Sequence, residues 1–199
     1  MNANAEEMDL RERLDLMQRM IAEGRRKHES WGWTFVLWGI AYYVAFFWAW
    51  LAGFPLAWPI TMAAGGILTF IGFSRPSHRV PETTMGRAIA AIWIATGVSM
   101  FILFDALGFG LRLAEPRAFF AAASAMIGLA NAACSLTLRW KVEFLCAIVW
   151  WAAAVIACFC NLVTTVVAFL IAIFLCQIVF GAYMMVLEAR ERRQVARHA

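Results

Sequence analysis

The sequence predicts an all-α fold: a polytopic membrane bundle of six transmembrane helices, preceded by a cytoplasmic amphipathic helix, with both termini in the cytoplasm. Three observations predict it. Of 199 residues, 63% are hydrophobic and only 15% charged, with a mean hydropathy of +0.71. Soluble domains run at about 45–50% apolar and about 25% charged, so this chain has too little polar surface to cover a particle in water. The apolar residues also fall in six unbroken runs, each near the roughly 20 residues a helix needs to cross a bilayer. Finally, the basic residues sit almost wholly on one side of those runs.

The spans are read at 31–52, 55–73, 88–110, 118–138, 142–160 and 164–187. Lipid leaves no open backbone group satisfied, so each must be a helix or a barrel strand. Continuous rather than alternating hydrophobicity excludes the barrel. Arg11, Arg13, Arg19, Arg25, Arg26 and Lys27 precede the first span. Arg75, Arg79 and Arg87 lie between the second and third, Arg139 and Lys141 between the fourth and fifth, and Arg190, Arg192, Arg193 and Arg197 after the last. Of 17 Lys and Arg, only Arg112 and Arg117 fall on the other side. That asymmetry directs both termini inward and makes the net charge of +4 a topology signal. A basic surface spread over every inner loop does not point to nucleic acid. Residues 1–29 read as the cytoplasmic helix, 30–188 as the bundle and 189–199 as a basic tail. No cleavable signal peptide is expected, because the first 29 residues are too charged, and no lipidation signal is seen. The longest inner loop, 74–87, holds Pro76 and Pro81.

Residues 6–26 carry Leu10, Leu14, Met17 and Ile21 at spacings of four, three and four, a seam on one helix face that Leu16 and Met20 widen. Three partners for this seam are open: the inner leaflet, a membrane or cytoplasmic protein or a second copy of the chain, and the bundle's own loops.

Ionisable residues inside spans are sparse. Glu143 and Glu188 fall at cytoplasmic ends, where snorkelling is expected. Asp105 lies near the outer end of the third span, as an interfacial partner of Arg112 or Arg117 or as an outward-opening ion site. Asn131 and Gln177 fall at similar depth, and Ser99, Thr96, Tyr42 and Tyr43 lie near that level. They form a candidate polar layer around a ligand, or hydrogen bonds between helices. Trp31, Trp33, Trp140, Trp48, Trp50 and Trp58 fit interfacial belts; Trp38, Trp93, Trp150 and Trp151 fall inside spans and read as packing. Small residues recur at Ala121, Ala125, Gly128 and Ala132, at Ala41, Ala45 and Ala49, and at Gly65 and Gly66, as seams within the bundle or between copies.

Several chemistries find no residues. His28, His78 and His198 all fall outside spans, which leaves a membrane haem without ligands. There is no H-E-x-x-H, no Walker loop and no histidine for an intramembrane serine hydrolase. Cys134, Cys146, Cys158, Cys160 and Cys176 all lie within spans and read as small hydrophobes. No catalytic set, metal site or cofactor is expected. The chain also divides into hairpins 31–73, 88–138 and 142–187, a possible threefold repeat.

The run from Met17 to Gly39, with its charged helix and Leu37-Trp38-Gly39 in the first span, resembles the start of multi-pass bacterial membrane proteins of uncharacterised function. That resemblance implies a bacterial inner (cytoplasmic) membrane location and no activity. The expected role is a non-enzymatic accessory, scaffold or regulatory subunit. The alternative is small-solute binding: six spans in 199 residues with Ala41 and Ala45 in an A-x-x-x-A register are similar to the substrate-capture subunits of energy-coupling-factor vitamin transporters. The long N-terminal helix departs from that pattern.

Overall fold

The computed structural model describes residues 3–54, 56–74, 84–105 and 115–198. Among them there are helices and no strands: α1 (Ala3–Glu29), α2 (Gly32–Ala52), α3 (Ala57–Ser74), α4 (Thr84–Asp105), α5 (Pro116–Leu138), α6 (Lys141–Phe159), α7 (Leu162–Ile173) and α8 (Phe180–His198), with a π-helical segment (Phe174–Val179) joining the last two. Six helices are long and apolar enough to cross a membrane, the sixth running from α7 through the π segment into α8. The chain is therefore a multi-pass integral membrane protein. The basic tail continues α8 as helix to His198. The predicted inner loop from 75 to 83 and the outer end of the third span from 106 to 110 lie outside the described residues.

The helix ends follow local chemistry. Between α1 and α2 the chain turns at Ser30 and Trp31, where the Ser30 hydroxyl donates to the Lys27 carbonyl at 2.7 Å. Pro116 opens α5 at its first turn, where its missing N–H costs nothing. Arg139 ends it in the left-handed region at φ 52°, and the Trp140 N–H returns to the Ser135 carbonyl at 2.9 Å. That two-residue turn lays α6 back against α5, the most extensive helix pairing in the molecule. Asn161 caps α7, its Oδ1 accepting from the Thr164 N–H at 2.9 Å. Asn161→Ala is expected to cost about 1 kcal/mol, read as a lower melting temperature in micelles with α6 and α7 otherwise intact.

The core is formed by α2, α5, α6, α7, the π segment and α8 around Phe35, Ile127, Trp150, Phe169, Ile173 and Phe180. Half of the apolar window of α5 is buried, against 6% of that of α4. The exposed apolar surface of α3 and α4, with Phe70 and Phe101 outermost, is what helices facing lipid present. Hairpin partners α2 and α3, α4 and α5, and α6 and α7 do touch, but the tightest pairing crosses a hairpin boundary.

Small residues set the close approaches. A Cβ added at Gly128 would stand 2.5 Å from Trp151 of α6, so the small face of α5 is an internal seam at that level. Ala41 and Ala45 are buried, and Gly65 packs against Trp38 and Ala41, whereas Gly66 faces open space. Where α2 crosses α8, Gly32 and Gly181 meet backbone to backbone: a Cβ on Gly32 would lie 2.7 Å from the Gly181 carbonyl oxygen.

Candidate functional site, the terminal base of the bundle

The termini share one face of the bundle, since Arg26 of α1 pairs with Glu191 of α8 at 3.7 Å. At this face α1 does not hang free. The spacing of Leu10, Leu14, Met17 and Ile21 continues through Gly24 and His28. Gly24 packs on Met85, the second residue of α4, and on Leu138, the last of α5. One turn later His28 reaches Glu143, the third residue of α6. Successive turns of α1 therefore cross the ends of different spans.

His28 and Glu143 form the centre of this base. Their side chains are both fully buried, with His28 Nε2 2.8 Å from Glu143 Oε1. The snorkelling expected of Glu143 is thus corrected. Its carboxylate turns inward because an imidazole on α1 meets it there, and a buried polar group needs that partner. Aromatic rings enclose the pair. His28 lies edge-on to Trp31 at 5.9 Å, to Phe35 at 5.7 Å and to Trp140 at 6.1 Å. Trp140 is likewise corrected: it is buried beneath α1 rather than standing in an interfacial belt. The Arg25 guanidinium covers its ring at 4.7 Å and donates to Glu29 Oε1 at 3.0 Å. Burial holds the Glu29 carboxyl above its ordinary range, with Arg25 pulling the other way.

His28 Nδ1, Glu143 Oε2 and the Trp140 indole nitrogen have no hydrogen-bond partner among the described residues. No hydroxyl or thiol described here bonds to either member of the pair. Ser30 and Thr34, the nearest hydroxyls in sequence, donate to the Lys27 and Trp31 carbonyls. Enclosed by rings and joining α1 to α6, the dyad has the geometry of a clasp.

The sequence signal for this clasp is the seam itself: carried two steps beyond Ile21, it places a histidine in the row. What the sequence hides is that Glu143, 115 positions away, comes to meet it.

The other predicted residues lie elsewhere. Asn131 is buried and donates through Nδ2 to the Ile127 carbonyl of its own helix at 2.9 Å, leaving Oδ1 unpartnered. Gln177 is buried in the π segment, its Cβ facing Gly39 of α2. The Tyr43 hydroxyl donates to the Leu170 carbonyl at 2.8 Å, and the Thr96 hydroxyl to Ile92 of its own helix. Ser99 is exposed. No hydrogen bond joins any two of these residues. The side chain of Asp105 and all of Arg112 lie outside the described residues. Arg117 pairs with Glu115 at 2.7 Å and donates to the Cys160 carbonyl at 3.1 Å. This pairing holds the exposed Glu115 carboxyl below its ordinary range. Of the seam, Ile21 is half-buried, while Leu10, Leu14 and Met17 are exposed.

An open apolar groove of about 500 Å³ runs along α2 and is lined by Ile40, Tyr43, Val44, Phe47, Trp48, Leu51 and Ala52. Its walls are apolar and carry no charged group, as a lipid-facing surface requires.

No family model matches the chain, and no curated protein or solved structure is significantly similar to it.

Proposed function

We propose that the chain is a non-enzymatic accessory or scaffold subunit of a bacterial cytoplasmic membrane, with both termini cytoplasmic, whose N-terminal arm meets a partner protein. The observation that carries this reading is the clasped base. α1 is one uninterrupted helix, held at its C-terminal end by buried His28 on Glu143 and by Gly24 on α4 and α5. Residues 10–20 stand clear of the bundle as an ordered arm. An arm ordered in advance lowers the entropy lost when a partner binds. The positive-inside distribution of Arg and Lys supports the orientation. Full burial of the dyad among aromatic rings, joining α1 to α6, supports a structural role for it.

The arm offers a partner its charged ridge, with Glu12, Asp15, Arg19 and Glu23 turned away from the apolar seam. Native mass spectrometry of the protein gently extracted from its own membrane tests this. A stoichiometric protein partner is expected, lost in Glu12→Arg/Asp15→Arg, a change at exposed positions that leaves the fold standing. Extraction of the chain alone overturns the reading.

A second reading, small-solute binding, draws on Gln177. It is buried within a π-helical segment, a backbone irregularity that recurs at functional sites. A co-extracted small molecule lost on Gln177→Ala or Asn131→Ala would favour that reading over the first.

A further inference from the structure

We infer that the apolar seam of α1 lies on an anionic membrane surface, the leaflet on the side of the termini. This deepens the scaffold reading and shares its orientation, since it assigns the seam to lipid and leaves the charged ridge for protein.

The first support is continuity with an interface already formed. Leu10, Leu14, Met17, Ile21, Gly24 and His28 are one row on one helix. The last two rest on Met85, Leu138 and Glu143, residues at the ends of α4, α5 and α6. That face of α1 is therefore turned toward the plane in which the spans end. From Gly24 back to Leu10 the helix runs on for about 21 Å at about 1.5 Å per residue. At the level where spans end, the neighbour beside a bundle is the lipid interface. Among the described residues this face is open: Leu10 is 60% exposed, Leu14 52% and Met17 56%.

The second support is charge. With Leu10 and Met17 at d and Leu14 and Ile21 at a, the flanking e and g rows carry Arg11, Arg13, Arg25 and Lys27, with Glu6 the one acid in them. Asp9, Glu12, Asp15 and Glu23 fall at b, c and f, away from the seam, and Glu7 at a closes the apolar row on its N-terminal side. Arg13 meets Asp9 at 3.0 Å, with both side chains largely exposed. Arg25 is held on Trp140 and Glu29, so Arg11 and Arg13 are the cations that edge the exposed stretch; an apolar stripe edged by cations is what an interfacial helix presents to anionic headgroups. In a self-paired coiled coil, the same rows would set mostly cations beside one another.

Hydrogen exchange of the full-length protein in nanodiscs tests the assignment, using one chain per disc. Discs of phosphatidylcholine are compared with discs in which about one-third of the lipid is phosphatidylglycerol. In the anionic discs, exchange across residues 8–20 is expected to slow by about tenfold or more, with the effect lost at high salt. Leu14→Asp/Met17→Asp should abolish the slowing while leaving exchange in α5 and α6 unchanged. Exchange that is equally fast in both lipids overturns the inference. So does protection that depends on a second chain per disc and ignores lipid charge, which would assign the seam to another copy. Because no partner protein is present, a failure here leaves the co-extraction result of the scaffold reading standing or falling separately.

Discussion

Glu143→Ala is expected to lower stability by about 3 kcal/mol, and His28→Ala by a similar amount. The reason lies in what each change leaves behind. Both side chains are fully buried, ringed by Trp31, Phe35 and Trp140. Removing one abandons the other in an apolar enclosure with its hydrogen bond unmade, and such a group costs far more than the bond itself contributes. The double variant His28→Leu/Glu143→Leu removes both polar groups together and should recover most of the loss, because apolar replacement of a buried pair is often neutral. Unfolding in mixed micelles supplies the double-mutant cycle. Strongly non-additive single changes are expected; simple additivity would show that the two side chains do not depend on one another. Each single change should also speed hydrogen exchange over residues 20–29, because the clasp is the main polar tie between α1 and the spans.

The spans were legible because bilayer thickness dictates run length. The read boundaries at 31–52, 118–138 and 142–160 meet the helices Gly32–Ala52, Pro116–Leu138 and Lys141–Phe159 within about two residues. Hydropathy measures depth along the membrane normal and carries little about which way a helix is turned. Glu143 and Trp140 do stand at the start of a span, yet their inward orientation depends on α1 passing across the base. Asn131 and Gln177 fall at matching positions along their predicted spans, but one bonds its own helix and the other faces Gly39 of α2. A polar layer would need a shared direction as well as a shared depth. The π segment was not legible, since Phe174–Val179 is apolar but for Gln177, and a lone glutamine does not mark a π turn. Of the α1 seam, the spacing shows Leu10, Leu14, Met17 and Ile21; its continuation through Gly24 and His28 onto the ends of α4, α5 and α6 needed the structure.

Helix packing supplies the second large effect. Gly32→Ala and Gly181→Ala are each expected to destabilise by about 1–3 kcal/mol, as overpacking does. At both positions the obstruction is backbone: a Cβ on Gly181 would lie 2.8 Å from the Gly32 carbonyl oxygen, and one on Gly32 2.7 Å from that of Gly181. A side chain in the way could rotate, but here α2 and α8 must move apart, taking Phe35 and Phe180 out of their 5.6 Å ring contact. Once the helices have separated for one methyl group, the second meets less resistance, so the double variant should cost less than the two single changes combined. Gly66→Ala and Gly97→Ala are the internal comparison. Neither position has an atom within 4 Å of an added Cβ, and removing a helical glycine should leave stability unchanged or raise it by up to about 1 kcal/mol. Melting temperatures of the four single variants in one detergent separate the pairs. If all four fell together, the cost would belong to alanine in these membrane helices generally; a fall confined to Gly32 and Gly181 places it at the crossing that holds the first span against the last.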